Sequence, residues 1–322
     1  MRYSRQELLN FIGKEGQEKI SNSTVAIVGL GATGSVSAEL LARAGAGTLI
    51  LIDRDIIELS NLQRQSLYTE DDIGKTKASR AREHLRKINS TIVLKAFTDD
   101  LTYHNIADLL DGADIILDCA DNMETRFLIN EYCVQNNKPW IYSAAIRTEG
   151  YILTINPKDF CFSCIFNNLI SEETCDMSGA LNTITHAIAT LQAQETLQYV
   201  LDKQQEKKLY HLNYGERPSI ESLTVKKNKD CSVCVHKTFN YLTGKKRQSI
   251  ISCCGTGMYQ IRHKTPIDIQ MIKKNLERLG NVKDVDMFLQ FDTMYIFKDR
   301  ALIHAKTKQE AKNLYSKYVG GL

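Results

Sequence analysis

The chain lacks the features of a membrane or secreted protein. In its 322 residues no apolar run approaches the ~18 residues that a membrane-spanning helix needs. Its first ten residues, MRYSRQELLN, are polar and show no signal-peptide pattern. We therefore expect a cytoplasmic protein that makes no membrane contact.

The chain also has little net charge. Its 41 basic and 38 acidic residues leave a formal charge of +3, mixed along the sequence, which gives no reason to expect a nucleic-acid partner. Long-period repeats and low-complexity segments are absent, and only four prolines occur, so domain boundaries are weakly marked. The length and the 43% hydrophobic content suit one large globular domain or two.

Short apolar runs alternate with helical segments in the first half of the chain. The runs STVAIVGLG, TLILID, TIVLKAF, ADIILDC and PWIYSAA have the composition of buried strands. This alternation predicts an α/β, Rossmann-like, doubly wound, mostly parallel sheet. After Gly150, further strands and one long helix predict an antiparallel extension of that sheet.

Two domains are expected. Residues 1–240 would form the large α/β domain, and residues 256–322 would form a small C-terminal α+β module. In the module, the segments MYQIRH, MFLQF and MYIF are expected as strands, with helices in IDIQMIKKNLERLG and KQEAKNLYSKYV.

The hexapeptide GLGATG, residues 29–34, follows the first strand and precedes a helix. It fits the G-x-G-x-x-G pattern, in which Gly29, Gly31 and Gly34 would allow a tight turn and a close approach of phosphate to the helix N-terminus. Asp53 ends the next strand, where a carboxylate commonly binds a ribose. This pattern predicts a nucleotide but leaves its identity open, so an NAD-dependent oxidoreductase remains an alternative.

A polar segment just past Asp53 favours a triphosphate. Ser60, Asn61 and Arg64 follow the second strand, and Lys77 begins the next helix. Asp121 follows a later buried strand, where it could hold magnesium. Singly, the two cations would be surface charges and Asp121 a helix cap, but together at the ends of strands of one sheet they predict a polyphosphate site.

Several motifs in order resemble those of the ubiquitin-activating superfamily. They are RYSRQ, GLGATG, LIDRDIIELSNLQRQ, GKTKA, DCADN and AAIRTEG. The chain looks most like the prokaryotic-type adenylyltransferases of the ThiF, MoeB and HesA kind, and the resemblance covers roughly residues 1–240.

The resemblance implies an enzyme that binds ATP and magnesium and activates the C-terminal Gly-Gly carboxylate of a ubiquitin-like or sulfur-carrier protein as an acyl-adenylate. It also implies a homodimer in which an N-terminal arginine acts in the partner's site. The residues implied for the nucleotide and its magnesium are Gly29, Gly31, Ala32, Gly34, Asp53, Ser60, Asn61, Arg64, Lys77, Asp121 and Asn122. Arg5 would be the arginine that acts in trans.

Two details qualify this picture. Ala32 stands where related loops carry another glycine, so a methyl group would lie near the phosphates. No histidine is expected in catalysis, because the attacking carboxylate is already ionised near neutral pH. His186, on the long helix, is expected to be structural.

Four of the nine cysteines form two Cys-x-x-Cys pairs. Cys161 with Cys164, and Cys231 with Cys234, predict a closed tetrahedral structural zinc site, with buried unligated cysteines as the alternative. The resemblance places zinc on the same pairs.

A further cysteine, Cys175, matches by resemblance a position that forms a sulfur-linked intermediate in ThiF-like relatives and is dispensable for adenylation in MoeB-like ones. The adjacent Cys253 and Cys254 are an alternative site for such an intermediate. Cys119 and Cys133 are expected to be buried.

Other functions remain open at this point. One is a non-catalytic scaffold subunit of an activating-enzyme pair, and another is the relative that dehydrates a modified tRNA base. The sequence identifies neither the carrier protein nor the downstream fate, sulfur transfer or conjugation. The C-terminal module could recruit the carrier or form a dimer contact, and the terminal YVGGL is expected to be a frayed end.

Overall fold

The computed structural model describes residues 2–166, 179–203, 206–253, 257–285 and 287–320. These residues form two compact units, one reaching to Lys246 and one starting at Arg247. Each unit is described separately below. Among the described residues, no helix is long and apolar enough to cross a membrane.

The first unit is built on an eight-stranded sheet. Its strands lie in the order β3-β2-β1-β4-β5-β6-β7-β8, parallel from β3 to β5 and antiparallel from β5 to β8. Their bounds are Thr24–Val28 (β1), Thr48–Ile52 (β2), Val93–Phe97 (β3), Ile115–Asp118 (β4), Trp140–Ile146 (β5), Glu149–Ile155 (β6), Lys208–Asn213 (β7) and Ser219–Thr224 (β8). The predicted mostly parallel sheet with an antiparallel extension is confirmed.

Helices cover both faces of this sheet. Their bounds are Ser4–Glu7 (α1), Gly13–Asn22 (α2), Gly34–Ala44 (α3), Lys77–Ile88 (α4), Ile106–Leu110 (α5), Met123–Asn136 (α6), Ser163–Phe166 (α7) and Asn182–Val200 (α8). One face packs against α5 and α6, and the other packs against α3, α4 and α8. From Val25 to Val28 the side chains of β1 alternate between these two cores, which explains why these four positions are all apolar.

The N-terminal segment is fixed at the C-terminal ends of α3 and α4. The ring of Tyr3 packs against Gly45, which caps α3 in the left-handed region, and the Tyr3 hydroxyl accepts a hydrogen bond from Asn89 Nδ2 at 2.8 Å. Gln6 Nε2 donates to Ala44 O at 3.0 Å. Helices that follow parallel strands end at the amino edge of the sheet, so this segment lies at that edge.

The second unit is a six-stranded antiparallel sheet with two helices. The strand order is β11-β12-β13-β14-β10-β9. The bounds are Ile250–Cys253 (β9), Met258–Arg262 (β10), Ile269–Leu276 (α9), Val282–Val285 (β11), Phe288–Phe291 (β12), Met294–Ile296 (β13), Arg300–His304 (β14) and Lys308–Tyr318 (α10).

The prediction for this unit was incomplete. It anticipated β10, β12, β13 and both helices, and it missed β9, β11 and β14. β9 and β11 have only four residues each, too short for an alternating pattern to stand out. β14 is hidden because four of its five residues are buried, so it shows no alternation either.

Candidate active site and metal centre

Two of the three glycines in the loop between β1 and α3 are required by the protein itself. Gly29 has a φ of 91°, and a Cβ there would lie 2.5 Å from the carbonyl oxygen of Cys119. A Cβ on Gly34 would lie 1.9 Å from the oxygen of Gly29. A Cβ on Gly31 would meet only Gln65 Nε2, at 3.7 Å. The backbone therefore requires glycine at positions 29 and 34, whereas a side chain at position 31 would make only an ordinary contact.

Asp53 joins the end of β2 to the glycine loop. Its two carboxylate oxygens accept hydrogen bonds from the backbone N–H of Leu30 at 2.6 Å and of Asp55 at 2.7 Å. Burial raises the pKa of Asp53 to about 6, although the nearby Lys77 ammonium opposes the shift. The carboxylate predicted to bind a ribose thus also fixes the shape of the loop.

Lys77 lies buried at the start of α4, with its Nζ atom 3.1 Å from Oδ2 of Asp55. Burial lowers the pKa of Lys77, but the carboxylates of Asp55 and Asp53 outweigh burial and raise it overall. Lys77 is therefore a permanent cation near neutral pH.

Arg54 connects the ends of several strands and was not anticipated from the sequence. Its Nη1 lies 3.2 Å from Asp100, its Nη2 lies 3.4 Å from Asp121, and its Nε lies 3.8 Å from Asp55. The only available signal was a charged residue between two aspartates at a strand end.

Asp121 and Asn122 lie next to each other at the start of α6 and have different roles there. Asn122, and not Asp121, is the N-cap of the helix, since its Oδ1 accepts a hydrogen bond from Thr125 N at 2.9 Å. Asn122 Nδ2 donates to Asp121 Oδ1 at 3.1 Å. The helix-cap interpretation of Asp121 is wrong, and its carboxylate, 28% exposed, is oriented by Asn122 and Arg54.

The segment that contains Arg64 begins with a short 3-10 helix, Leu59–Asn61. Asn61 is buried, and its Oδ1 accepts a hydrogen bond from Glu58 N at 3.1 Å. Arg64 is half-buried and donates to the carbonyl of the exposed Ser60 at 3.0 Å. The structure thus gives Asn61 a local structural role and leaves Ser60 at the surface.

A second ion pair at the end of β4 was also missed. Asp118 is fully buried, its Oδ2 lies 3.4 Å from Arg126 Nε, and its Oδ1 accepts a hydrogen bond from Ala120 N at 2.9 Å. Burial raises the pKa of Asp118 to about 6, against the attraction of Arg126. Arg126 also donates to Ala120 O at 2.8 Å, so the pair holds the turn that leads to Asp121.

Arg5 is exposed on α1 and belongs to the segment at the amino edge of the sheet. The glycine loop lies at the opposite, carboxyl edge, and the 11-residue helix α3 separates the two by roughly 16 Å. The structure therefore does not bring Arg5 to the glycine loop of its own chain.

Cys175 and Cys254 lie outside the described residues, and the side chain of Cys253 is not described. Cys119 is partly buried, and burial raises the pKa of its thiol to about 12; Cys133 is fully buried. His186 makes a hydrogen bond through Nδ1 with Asn182 O of its own helix at 2.8 Å, a local contact.

The four paired cysteines converge as predicted. The Sγ atoms of Cys161 and Cys231 are 3.6 Å apart, those of Cys164 and Cys234 are 3.5 Å apart, and all four lie within 4.8 Å of one another. Tetrahedral zinc with Zn–S bonds of about 2.3 Å requires S···S distances of about 3.8 Å. The cluster fits a structural zinc ion and joins two segments that are far apart in sequence.

Comparison with known proteins agrees with this geometry. The chain is 35% identical over 334 residues to the sulfur carrier protein ThiS adenylyltransferase of Bacillus subtilis (strain 168), covering 99% of both chains. It is 37% identical to the protein of the same name from Escherichia coli (strain K12), covering 73% of this chain and 94% of that protein. It is also 31% identical to the SAMP-activating enzyme E1 of Haloferax volcanii, covering 72% and 88%.

Among solved structures, that of E. coli MccB with ATP superposes with a TM-score of 0.64 at 28% identity, covering 72% of this chain and 74% of that one. Residues 3–233 match the sequence pattern of the ThiF family. This match includes the glycine loop, the buried cations and most of the cysteine cluster. The chain belongs to the ThiF family.

Proposed function

We propose that the protein is an adenylyltransferase that uses ATP to activate the C-terminal carboxylate of a ubiquitin-like sulfur-carrier protein. One observation carries the proposal. The buried cations Lys77 and Arg54 and the carboxylate of Asp121 are held at the carboxyl edge of the sheet, next to the glycine loop. The two ThiS adenylyltransferases and the SAMP-activating enzyme support the same class of substrate.

The reaction brings together two anions, the carboxylate of the carrier and the triphosphate of ATP, and the cations of the site would reduce their repulsion. A carboxylate oxygen of the carrier attacks the α-phosphorus of ATP, a new P–O bond forms, and the bond to the bridging oxygen breaks as pyrophosphate leaves. Lys77 keeps its charge throughout, and the N-terminus of α3 has no side-chain cap, so its N–H groups can face phosphate. The ionised nucleophile requires no general base.

Magnesium fits the same site because of its donor set. Among the described residues, the carboxylates of this region outnumber the cations that pair with them. Asp121 is the carboxylate that would hold the ion, since it is partly exposed and oriented from behind by Arg54 and Asn122. Bound magnesium would neutralise phosphate charge there.

Arg5 would complete the site of a second copy of the chain. Its position at the amino edge excludes the glycine loop of its own chain, yet the side chain is exposed and available to another. We therefore propose a homodimer in which Arg5 contributes a cation in trans.

Cys175 would take the activated carrier as a thioester, its sulfur bonding to the acyl carbon as AMP leaves. The chain re-enters the described structure near the nucleotide segment, because Ala180 O accepts a hydrogen bond from Gln63 Nε2 at 3.4 Å and Gly179 O accepts one from Arg147 N at 2.9 Å. Cys175 lies five residues before Ala180 in the sequence, a reach of at most about 18 Å.

The test is carrier-dependent exchange of labelled pyrophosphate into ATP. The purified zinc-loaded protein is incubated with ATP, magnesium and a sulfur-carrier protein that ends in Gly-Gly, and a carrier lacking the last two glycines is the matched control. Exchange with the intact carrier alone is expected. Lack of exchange with every such carrier encoded in the same genome would reject the proposal and favour a non-catalytic scaffold.

A further inference from the structure

The hydroxyl of Tyr68 lies between the glycine loop and the start of α4. It donates a hydrogen bond to Leu30 O at 2.9 Å and also lies 3.4 Å from Lys77 O. Leu30 stands between Gly29 and Gly31 in the glycine loop, and Lys77 is the buried cation that begins α4. One side chain therefore contacts the backbone of both parts of the protein that would face the phosphates of ATP.

These contacts complete a closed circuit of hydrogen bonds. The N–H groups of Leu30 and Asp55 both donate to the carboxylate of Asp53, at 2.6 and 2.7 Å. The N–H of Lys77 donates to Asp55 O at 3.0 Å. The hydroxyl of Tyr68 then leads from Lys77 O back to Leu30 O, so its removal would open the circuit.

The backbone beside Tyr68 is attached to α4 by separate contacts. Thr69 N donates to Asp72 Oδ2 at 2.9 Å, and Asp72 Oδ1 accepts a hydrogen bond from Arg80 Nε at 2.6 Å. His84 Nε2 lies 2.7 Å from Asp72 Oδ2. Because Arg80 and His84 belong to α4, this segment is fixed to the same helix that Lys77 begins. The protein itself therefore sets the position of Tyr68.

The hydroxyl of Tyr68 has a role that packing does not explain. The side chain is buried in the apolar core that faces α3, α4 and α8, where the ring of a phenylalanine would pack equally well. Burial raises the pKa of Tyr68 well above its usual range, and the carboxylates of Asp53 and Asp72 raise it further. The hydroxyl therefore keeps its proton near neutral pH and remains a hydrogen-bond donor.

Nucleotidyl transfer depends on accurate placement of the groups around the phosphates, and a displacement of about 1 Å can slow a reaction about 100-fold. We propose that Tyr68 is a positioning residue for adenylation, whose hydroxyl fixes the separation between the glycine loop and Lys77 so that both meet one triphosphate. Tyr68 acts through Leu30 and Lys77 and not by touching the nucleotide. This inference rests on the proposed function.

Two matched variants and one double variant test the assignment. Tyr68→Phe removes the hydroxyl and keeps the ring. Tyr132→Phe is the control, because Tyr132 is only 2% exposed and its hydroxyl has no hydrogen-bond partner among the described residues. The double variant combines Tyr68→Phe with Lys77→Met. The measurements are the rate of pyrophosphate exchange at saturating magnesium-ATP and carrier, and the melting temperature of the zinc-loaded protein.

Tyr68→Phe should slow exchange about tenfold at a temperature where the variant is fully folded. Its melting temperature should also fall, since Leu30 O loses a buried partner. Tyr132→Phe should keep the wild-type rate, and its melting temperature should stay equal or rise. In the Lys77→Met background, Tyr68→Phe should slow exchange by less than it does in the wild-type background, because the cation that it positions is already gone.

A wild-type exchange rate in folded Tyr68→Phe would overturn the assignment, even if the melting temperature fell, because the hydroxyl would then be structural alone. Equal losses from Tyr68→Phe with and without Lys77 would overturn its action through that residue. Absence of exchange in the wild-type chain would instead reject the proposed function, and the role of Tyr68 with it, before any variant is compared.

Discussion

The guanidinium of Arg54 lies 3.4 Å from Oδ1 of Asp121, although the two residues follow strands β2 and β4, which flank β1 on opposite sides. The same side chain lies 3.2 Å from Asp100, which follows β3. Arg54 therefore ties the carboxyl ends of three strands together behind the glycine loop.

Replacing Arg54 with methionine should destabilise the chain by roughly 3 kcal/mol, because Asp100, only 3% exposed, would lose its buried counter-ion. The free energy of unfolding from urea titrations measures the effect. In a double-mutant cycle, Arg54→Met with Asp100→Leu should cost less than the sum of the single changes. Strictly additive effects would show that the pair is not coupled.

Substitutions of Lys77 and Arg64 should have similar effects on activity but different effects on stability. Lys77→Met and Arg64→Met should each reduce pyrophosphate exchange by about 100-fold or more, as for other fixed groups that stabilise developing charge. Only Lys77→Met should lower the free energy of unfolding, by roughly 3 kcal/mol, since it leaves the buried Asp55 with only the longer contact to Arg54. Arg64→Met should stay within about 0.5 kcal/mol of wild type.

One zinc ion per chain should be bound by the four paired cysteines. Cys231→Ser is expected to lose the metal and to lower the melting temperature, because the bond between two distant segments is lost. Cys133→Ala is the matched control, since Cys133 is also buried but lies outside the cluster, and it should keep its zinc. Mass spectrometry measures the zinc content of each variant. A wild-type protein that binds no zinc would contradict the assignment.

Mixing two inactive variants should restore activity if Arg5 acts in trans. A dimer of one Arg5→Ala chain and one Lys77→Ala chain contains one site with both cations. Random exchange of subunits makes half of the dimers mixed, so about a quarter of wild-type exchange activity should return. If the mixture stays inactive after subunit exchange has been verified, Arg5 does not act in the site of the partner chain.

ATP affinity should fall on acidification below about pH 6. Protonated Asp53, whose pKa is about 6, cannot accept hydrogen bonds through both oxygens from Leu30 and Asp55, so the glycine loop loses its anchor. We expect up to a tenfold loss of affinity per pH unit, measured by calorimetry from pH 8 to 5. A flat profile would contradict this role of Asp53.

The pH dependence that Asp53 gives to the stability of the ligand-free protein is opposite to the pH dependence expected for ATP affinity. Its folded pKa of about 6 lies above the unfolded value of about 4, so the native state binds the proton more tightly. The contribution of this residue to stability therefore decreases as the pH rises from about 4 to about 6.

The sheet could be predicted because local signals were strong. The β-branched run before GLGATG, and the alternation of strands with amphipathic helices, identify parallel strands without knowledge of tertiary contacts. Strands β9, β11 and β14 were missed because their apolar pattern is too short or too uniform, and their pairing is decided by neighbours distant in sequence.

In the candidate site, too, some residues could be predicted from local sequence patterns and others could not. Lys77 and the four zinc cysteines stand in recognisable motifs, whereas the role of Arg54 follows only from its contacts in the folded chain. Its partners Asp100 and Asp121 lie 46 and 67 residues away in the sequence, so no local pattern identifies the pairs. Asn122 was anticipated in the site, but its role as the cap of α6 became clear only from its hydrogen bond to Thr125.

The surplus of carboxylates around Arg54 and Lys77 has a consequence for the form in which a nucleotide would enter the proposed site. Negative potential at this edge of the sheet repels a bare triphosphate, so on the proposed function the ligand would be the metal-bound nucleotide. Free ATP would then compete poorly with its metal complex.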